Sequence, residues 1–417
     1  MSERRRPTPP AVPPSSSSVR GGPSFARALW RIASAQVSPG NRVTLFADGD
    51  RTFAAMLELI DGARHAVDLE SYLVRSDEVG RRFAAALGAA ARRGVRVRLL
   101  GDWLGMRGAS RRWRRALRAE GVEVRVFSPP GLRRWLGLVP RDHRKVLVVD
   151  GAVGVTGGIG IGEQWQRGLL RRRGSPWRDR CVRIEGPAAA DLEAAFEHMW
   201  GRAGGARAPR AERRLRRPPR NAHLDPLTAP RSLVGIVEGE PGRVRVGRAL
   251  HLQAVAAQHT IWLASAYFVP SFLEVDALSG AARDGVDVRL LVPGRGDHPW
   301  VTRLTRRYYR RLLANGVRIW EWSGDMMHSK TSIVDGRWVR VGSTDFNPLG
   351  VAFNYELDAF IEDAEVGGAA EEIFLNELSL SREVTLRQRR WTRRAVPRPE
   401  PPAPPDERPR PGSRRAT

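Results

Sequence analysis

A His-x-Lys-x4-Asp pattern occurs twice in this chain of 417 residues, as His143/Lys145/Asp150 and as His328/Lys330/Asp335, with the two histidines 185 residues apart. Setting the two in register exposes a wider repeat. Gly94-Val-Arg-Val-Arg-Leu-Leu matches Gly285-Val-Asp-Val-Arg-Leu-Leu at an offset of 191 residues. Gly121-Val-Glu-Val-Arg-Val-Phe matches Gly316-Val-Arg-Ile-Trp-Glu-Trp, and Glu70-Ser-Tyr matches Ser265-Ala-Tyr, both at 195. Landmarks in one order at nearly one offset mark a duplicated unit, so whatever one half forms the other must form too.

Each copy alternates short β-branched runs with longer amphipathic ones, the pattern of an α/β fold. The first copy predicts strands at 66–74, 95–100, 122–127 and 144–149, with helices at 78–93 and 110–119. The second repeats them as strands at 260–269, 286–292, 317–322 and 331–334, with helices at 272–283 and 300–315. Glycine, proline and arginine crowd into 202–235, which reads as a linker between a first half at 41–201 and a second at 236–395. Outside the halves lie a basic Pro/Ser tail at 1–22, an amphipathic segment at 23–40 and a Pro/Arg tail at 396–417. The amphipathic segment puts Phe25, Leu29 and Ile32 on one helical face, suited either to a membrane surface or to packing on the body of the protein.

The net charge of +25 points to a polyanionic partner. Residues 1–22, 202–220 and 387–417 carry 17 of those charges in Pro-, Ser- or Gly-containing sequence, so they read as arms and a linker and not as a shaped groove. Such arms suit an anionic membrane or a nucleic acid. The lone cysteine, Cys181, excludes an internal disulfide framework and a multi-cysteine zinc site. The N-terminal sequence has no apolar run of the signal-peptide kind, and no window has the roughly 20 apolar residues that span a bilayer. The expectation is a soluble or peripheral protein.

A phosphodiester is a stable anion. Cleaving it without a metal requires a nucleophile, an acid for the departing alkoxide and fixed positive charge. Each motif offers that set: residues two apart on a strand share a face, so His143 points with Lys145 and His328 with Lys330. One imidazole attacks phosphorus, the other protonates the leaving oxygen, and the lysines hold the phosphoryl oxygens. Of 70 basic side chains only two are lysines, Lys145 and Lys330. A chain that otherwise uses arginine throughout keeps the compact ammonium at these two matching positions.

With these motifs the chain resembles the bacterial cardiolipin synthases of the phospholipase D superfamily over residues 41–395. The echoes are Arg141-Asp142-His143-Arg144-Lys145, Gly157-Gly158-Ile159, Trp177-Arg178-Asp179 leading into Glu185-Gly186-Pro187, Tyr267-Phe268-Val269-Pro270, Asp297-His298-Pro299 and Asn354-Tyr355-Glu356. The resemblance implies two α/β/α halves related by a pseudo-twofold axis, each with a central mixed sheet and with one active site at their interface. It implies His143 as the nucleophile that becomes phosphohistidine, and His328 as general acid and then base. It further implies Glu356 as the carboxylate that orients His328 and Asp179 as the counterpart for His143, a pairing that favours the imidazolium form an acid needs. Asp150 and Asp335 fit structural anchors within the motif. Glu70 and Tyr267, at strand ends, are expected to line the pocket, with Ser343 and Asn354 as further substrate-binding residues. Three positions depart from the family pattern: Gly160 and Asp345 stand where asparagine is usual, and Gly350 where serine is. They bear on the hydrogen bonds to phosphate.

The resemblance implies neither metal nor cofactor, phospholipids as substrates with phosphatidylglycerol foremost, an anionic membrane surface as partner, no obligate protein partner, and a peripheral place on the cytoplasmic face of the cell membrane. The leading expectation is phosphatidyl transfer to a second lipid, giving cardiolipin. Water as acceptor makes a phospholipase D, and a nucleic acid as donor makes a nuclease with the same chemistry. The Arg-Asp-His-Arg-Lys start and the Asn-Tyr-Glu end favour the lipid synthase. An idle anion-binding protein is a third possibility, and two intact His/Lys pairs argue against it.

Overall fold

The computed structural model describes residues 25–35, 37–129, 139–166, 175–206, 232–387 and 390–393. The basic tails and most of the linker lie outside these. In the first half, strands β1 (Val37–Phe46), β2 (Ala66–Ser71), β3 (Arg96–Asp102), β4 (Glu123–Phe127), β5 (Lys145–Val149), β6 (Val153–Gly157) and β7 (Cys181–Glu185) form a sheet in the order β1-β7-β6-β5-β2-β3-β4. Strands β2, β3 and β4 are parallel, and the others antiparallel.

The second half repeats this order without exception. It is built from β8 (Ser232–Gly239), β9 (Thr260–Ser265), β10 (Asp287–Pro293), β11 (Arg318–Trp322), β12 (Lys330–Val334), β13 (Trp338–Gly342) and β14 (Glu356–Glu362), running β8-β14-β13-β12-β9-β10-β11, with β15 (Ser381–Arg387) and β16 (Arg390–Arg393) added at the edge. Strands β1 and β8 pair antiparallel, so the two sheets join edge to edge into one of 16 strands among the described residues. The expected mixed-sheet α/β duplication is the fold observed.

Helices α2 (Gly49–Asp61), α3 (Glu78–Arg92) and α4 (Arg111–Ala119) cover the first sheet, and α6 (Arg245–Ala256), α7 (Phe272–Arg283) and α8 (Pro299–Ala314) the second. The repeated Gly-Val pairs are a stop signal: Gly94, Gly121, Gly285 and Gly316 sit at φ between 86° and 94°, where a Cβ is penalised. In each case the valine N–H then bonds a carbonyl five residues back, closing the helix and aiming the chain into the next strand. Between the two sheets, helices α5 (Pro187–Arg202) and α9 (Ala364–Ser379) share one apolar core with both halves, including Val146, Ile184 and Leu192 from one and Ile333, Leu357 and Phe374 from the other.

Helix α1 (Phe25–Ala33) packs Leu29 and Ala33 into the core of the second half beside Val246 and Ala249 of α6. Leu29, one of the three residues of the expected apolar face, is therefore buried against the second half. Among the described residues no helix is long and apolar enough to cross a membrane.

Candidate active site

Each motif histidine stands just before a central strand, at the end of the sheet where the parallel strands finish. His143 precedes β5 and His328 precedes β12. The backbone there is bridged between elements in two matching ways. His143 N–H donates to the Tyr355 carbonyl (2.9 Å) and Tyr355 N–H to that of Arg141 (2.8 Å). His328 N–H donates to the Arg178 carbonyl (2.7 Å) and Arg178 N–H to that of Met326 (2.9 Å). The residue after each bridge partner is a carboxylate, so the bridges deliver Glu356 to His143 and Asp179 to His328.

The pairing is therefore the reverse of the one expected. Glu356 belongs to the second half yet both its oxygens lie 3.0 Å from Nδ1 of His143, and Asp179 of the first half lies 2.6 Å from Nδ1 of His328. The sequence pattern permits either assignment, and the packing of the halves imposes the crossed one. In each ring the carboxylate engages Nδ1, so Nε2 is the nitrogen turned away from it.

The lysines and two tyrosines complete a symmetric set. Lys145 Nζ donates to the carbonyl of His143, and Lys330 Nζ to that of His328 (2.7 Å), with His328 Nε2 at 3.1 Å. Tyr72 meets His143 edge-on with ring centroids 4.9 Å apart, and Tyr267 meets His328 at 5.9 Å; the two ammonium groups lie over these rings at 5.5 and 5.4 Å. Trp165 and Trp177 close the side around His328. Tyr72 was legible in the repeat, because Glu70-Ser-Tyr aligns it with Tyr267, although only Tyr267 was singled out.

Electrostatics bind the two halves into one site. Burial drives the pKa of His143 well below the ordinary histidine value, with Lys145 and Lys330 pushing the same way; burial does the same to His328, helped by Lys330 and Lys145. Each lysine acts on the histidine of the other half as well as on its own. Burial and the two ammoniums act against the imidazolium form in each ring, with Asp345 acting for it at His143 and Asp297 at His328. Burial also raises Asp179 to about 6 and Glu356 to about 8, and lowers Lys145 to about 8.

Other residues take different places. Ser343 donates its hydroxyl to Glu356, and its carbonyl lies 3.1 Å from His143 Nδ1, so it braces the carboxylate. Asn354 accepts from Arg141 N–H (3.2 Å), clipping the approach to His143. Glu70 is a correction: β2 pairs Ser71 with Lys145 and Glu70 with Val146, so Glu70 projects from the face opposite Lys145. There it lies 3.2 Å from Arg144, fully buried, with burial raising its pKa well above normal.

Asp150 and Asp335 sit at the far ends of β5 and β12, about 17 Å from the lysines at strand rise. They adopt φ of 52° and 50°, and each carboxylate accepts from three successive backbone N–H groups, at 64–66 and 258–260. Of the three departures, Asp345 brings a carboxylate 3.4 Å from Lys330 Nζ. At Gly350 a Cβ would sit 2.6 Å from the Asp345 carbonyl oxygen, so this loop is tighter than serine allows.

Comparison with known proteins shows the family and the repeat. The family described as "Cardiolipin synthase, PLD-like domain" matches residues 56–200 and 253–378, one copy in each half. The cardiolipin synthase of Geobacillus kaustophilus is 34% identical over 343 residues, covering 80% of this chain and 66% of the relative. Cardiolipin synthase A of Pseudomonas fluorescens is 30% identical over 381 residues, 88% of this chain and 75% of the relative. The chain spans 65% of the length of the Geobacillus thermodenitrificans cardiolipin synthase, at 34% identity over 80% of its own length. In fold, it is similar to the phosphatidylserine synthase of Haemophilus influenzae, with a TM-score of 0.63, 14% identity, and coverage of 85% of this chain and 91% of that one. The chain belongs to the cardiolipin synthase family of phospholipase D-like domains.

Proposed function

We propose that this protein is a phosphatidyltransferase that makes cardiolipin from phosphatidylglycerol and a second phospholipid through a covalent phosphohistidine. The observation that carries this reading is the crossed pair of His–carboxylate contacts, His143–Glu356 and His328–Asp179, held with both lysines in one site. The named relatives support the lipid chemistry.

His143, neutral because burial and the lysines hold its pKa down, attacks phosphorus through Nε2 while Glu356 holds Nδ1. Lys145 and Lys330 bind the non-bridging oxygens and offset the charge that develops there. His328 passes its proton to the departing glycerol oxygen. A bound phosphodiester offsets the two ammoniums and shifts His328 toward the protonated form, with Asp179 at 2.6 Å stabilising it. In the second half-reaction neutral His328 takes a proton from the hydroxyl of the second lipid, whose oxygen attacks phosphohistidine and frees His143. The site resides at the cytoplasmic face of the membrane, with the basic arms in contact with anionic lipid.

The test is incubation with phosphatidylglycerol vesicles in EDTA, with lipids identified by mass spectrometry beside His143→Ala and His328→Ala. Cardiolipin and glycerol formed only by the unaltered protein support transfer. Phosphatidic acid alone makes the enzyme a hydrolase. No change in any lipid, with phosphatidylethanolamine also supplied, sinks the lipid reading.

A further inference from the structure

The first half carries a second electropositive feature. The loop after β3 and the first turns of α4 form a groove of about 470 Å³, lined by Trp103, Arg107, Arg111, Arg114, Arg118 and Pro129 among others. No aspartate or glutamate lines it. Among the described residues none of these four arginines has a carboxylate within 4 Å, although nearby Arg92 pairs with Glu120 and Arg81 with Glu78. Four guanidiniums gathered without a counter-charge repel one another unless an anion enters.

The arginines are also held in place. Arg114 donates to the Ala109 carbonyl (3.0 Å) and Arg118 to that of Val124 (2.9 Å), which leaves most of each fork's five donors for a ligand. Arg107 lies 5.8 Å over the Trp103 ring. A volume of this order falls within the range of small-ligand sites. The basic charge outside the arms and linker thus has a shaped component.

The loop that carries the groove is tied through the backbone to the neighbours of the reacting residues. Asp102, at the end of β3, accepts from Leu104 N–H (2.8 Å) at the start of the groove loop and from Asp142 N–H (3.1 Å), the residue before His143. Gly105 packs so tightly on Tyr72 that a Cβ there would lie 1.8 Å from the Tyr72 carbonyl oxygen, and the Tyr72 ring touches His143. The two halves differ here. In the second half the loop after β10 places Asp297 on the Tyr267 hydroxyl, which donates to its two carboxylate oxygens at 2.8 and 2.9 Å.

We propose that this groove is a second phosphate-binding site. Resting on the transfer reading above, it holds the headgroup phosphate of one lipid beside His143 while the catalytic pocket holds the phosphodiester of the other. The ligand class is a phosphate ester anion, recognised by bidentate guanidinium contacts.

The test uses the full chain carrying His143→Ala, so that nothing turns over, titrated calorimetrically with glycerophosphoglycerol and separately with inorganic phosphate. Addition of Arg107→Gln and Arg111→Gln is expected to remove one of two glycerophosphoglycerol binding events, or weaken it by at least about tenfold. The Arg107→Lys/Arg111→Lys pair keeps the charge and is expected to retain binding within about threefold, which separates loss of charge from loss of fold. Loss confined to glycerophosphoglycerol supports a headgroup site. Equal loss of inorganic phosphate supports the anion site and overturns its assignment to lipid. Unchanged binding of both in the glutamine variant overturns the groove. If the vesicle assay yields no lipid product while the groove still binds, the transfer reading fails and the groove stands.

Discussion

Asp179 of the first half and His328 of the second are joined at 2.6 Å, and the same relation holds in reverse between Glu356 and His143 at 3.0 Å. Neither half carries a complete His–carboxylate pair of its own. The duplication makes each half dependent on the other for the orientation of its imidazole.

Asp179→Asn keeps the volume and removes the charge that steadies His328 as it gains a proton. The expected loss is about 10²- to 10⁴-fold in kcat with KM little changed, the range for general acid–base catalysis. Steady-state kinetics on phosphatidylglycerol checks it, and a variant whose loss falls wholly in KM contradicts the assignment.

The site should also change charge near pH 8. Burial lowers Lys145 to about 8 and raises Glu356 to about 8, and because these groups act on each other they titrate as a unit. Lys145 is charged below that pH and loses its proton above it, so kcat/KM should fall on the basic side with a midpoint near pH 8. His143 is held well below its ordinary pKa, so the nucleophile stays neutral down to pH 6.5 and adds no acidic limb of its own above that pH. Lys145→Arg, slower throughout, should shift the basic limb upward because guanidinium stays charged. A limb that stays at pH 8 in this variant would exclude Lys145 as its source.

Asp345 is a carboxylate 3.4 Å from Lys330, one of the two lysines proposed to hold phosphate. Asp345→Asn removes that competing negative charge and should tighten inorganic phosphate as a competitive inhibitor by about tenfold, equivalent to ~1.4 kcal/mol. An unchanged or weaker inhibition constant would show that Lys330 is not restrained by Asp345.

Asp150→Ala leaves three backbone N–H groups at the start of β2 without their acceptor. The expected cost is about 1–3 kcal/mol, read as a lowered denaturant midpoint, with kcat per folded molecule retained because the carboxylate stands about 17 Å from the lysine. Burial opposes ionisation of Asp150, but the three donors outweigh it and hold its pKa below normal. Its contribution is therefore present above the unfolded carboxyl pKa and is lost as pH falls through the lower folded value. A variant as stable as the parent at pH 7 would deny the anchor.

Strand alternation and the repeat were enough to place His143 with Lys145 and His328 with Lys330 on common faces, and to set the strand order of one half by that of the other. Those are local properties, written in spacing. The partner of each imidazole is not local: His143 is separated from Glu356 by 213 residues, and a pattern symmetric in the two halves fits a pairing within each half as well as one across them. Only the bridges at Tyr355 and Arg178 choose. Glu70 went astray for a related reason, since its face depends on the register of β2 against β5, which a single strand does not contain. The arginines of α4 read in sequence as one more basic helix, and it is the fold of the loop after β3 that gathers them with Arg107 into one groove. Sequence determined which groups are present and how each half folds; packing between halves determined which charges meet, because Coulomb and hydrogen-bond partners are chosen by distance in space.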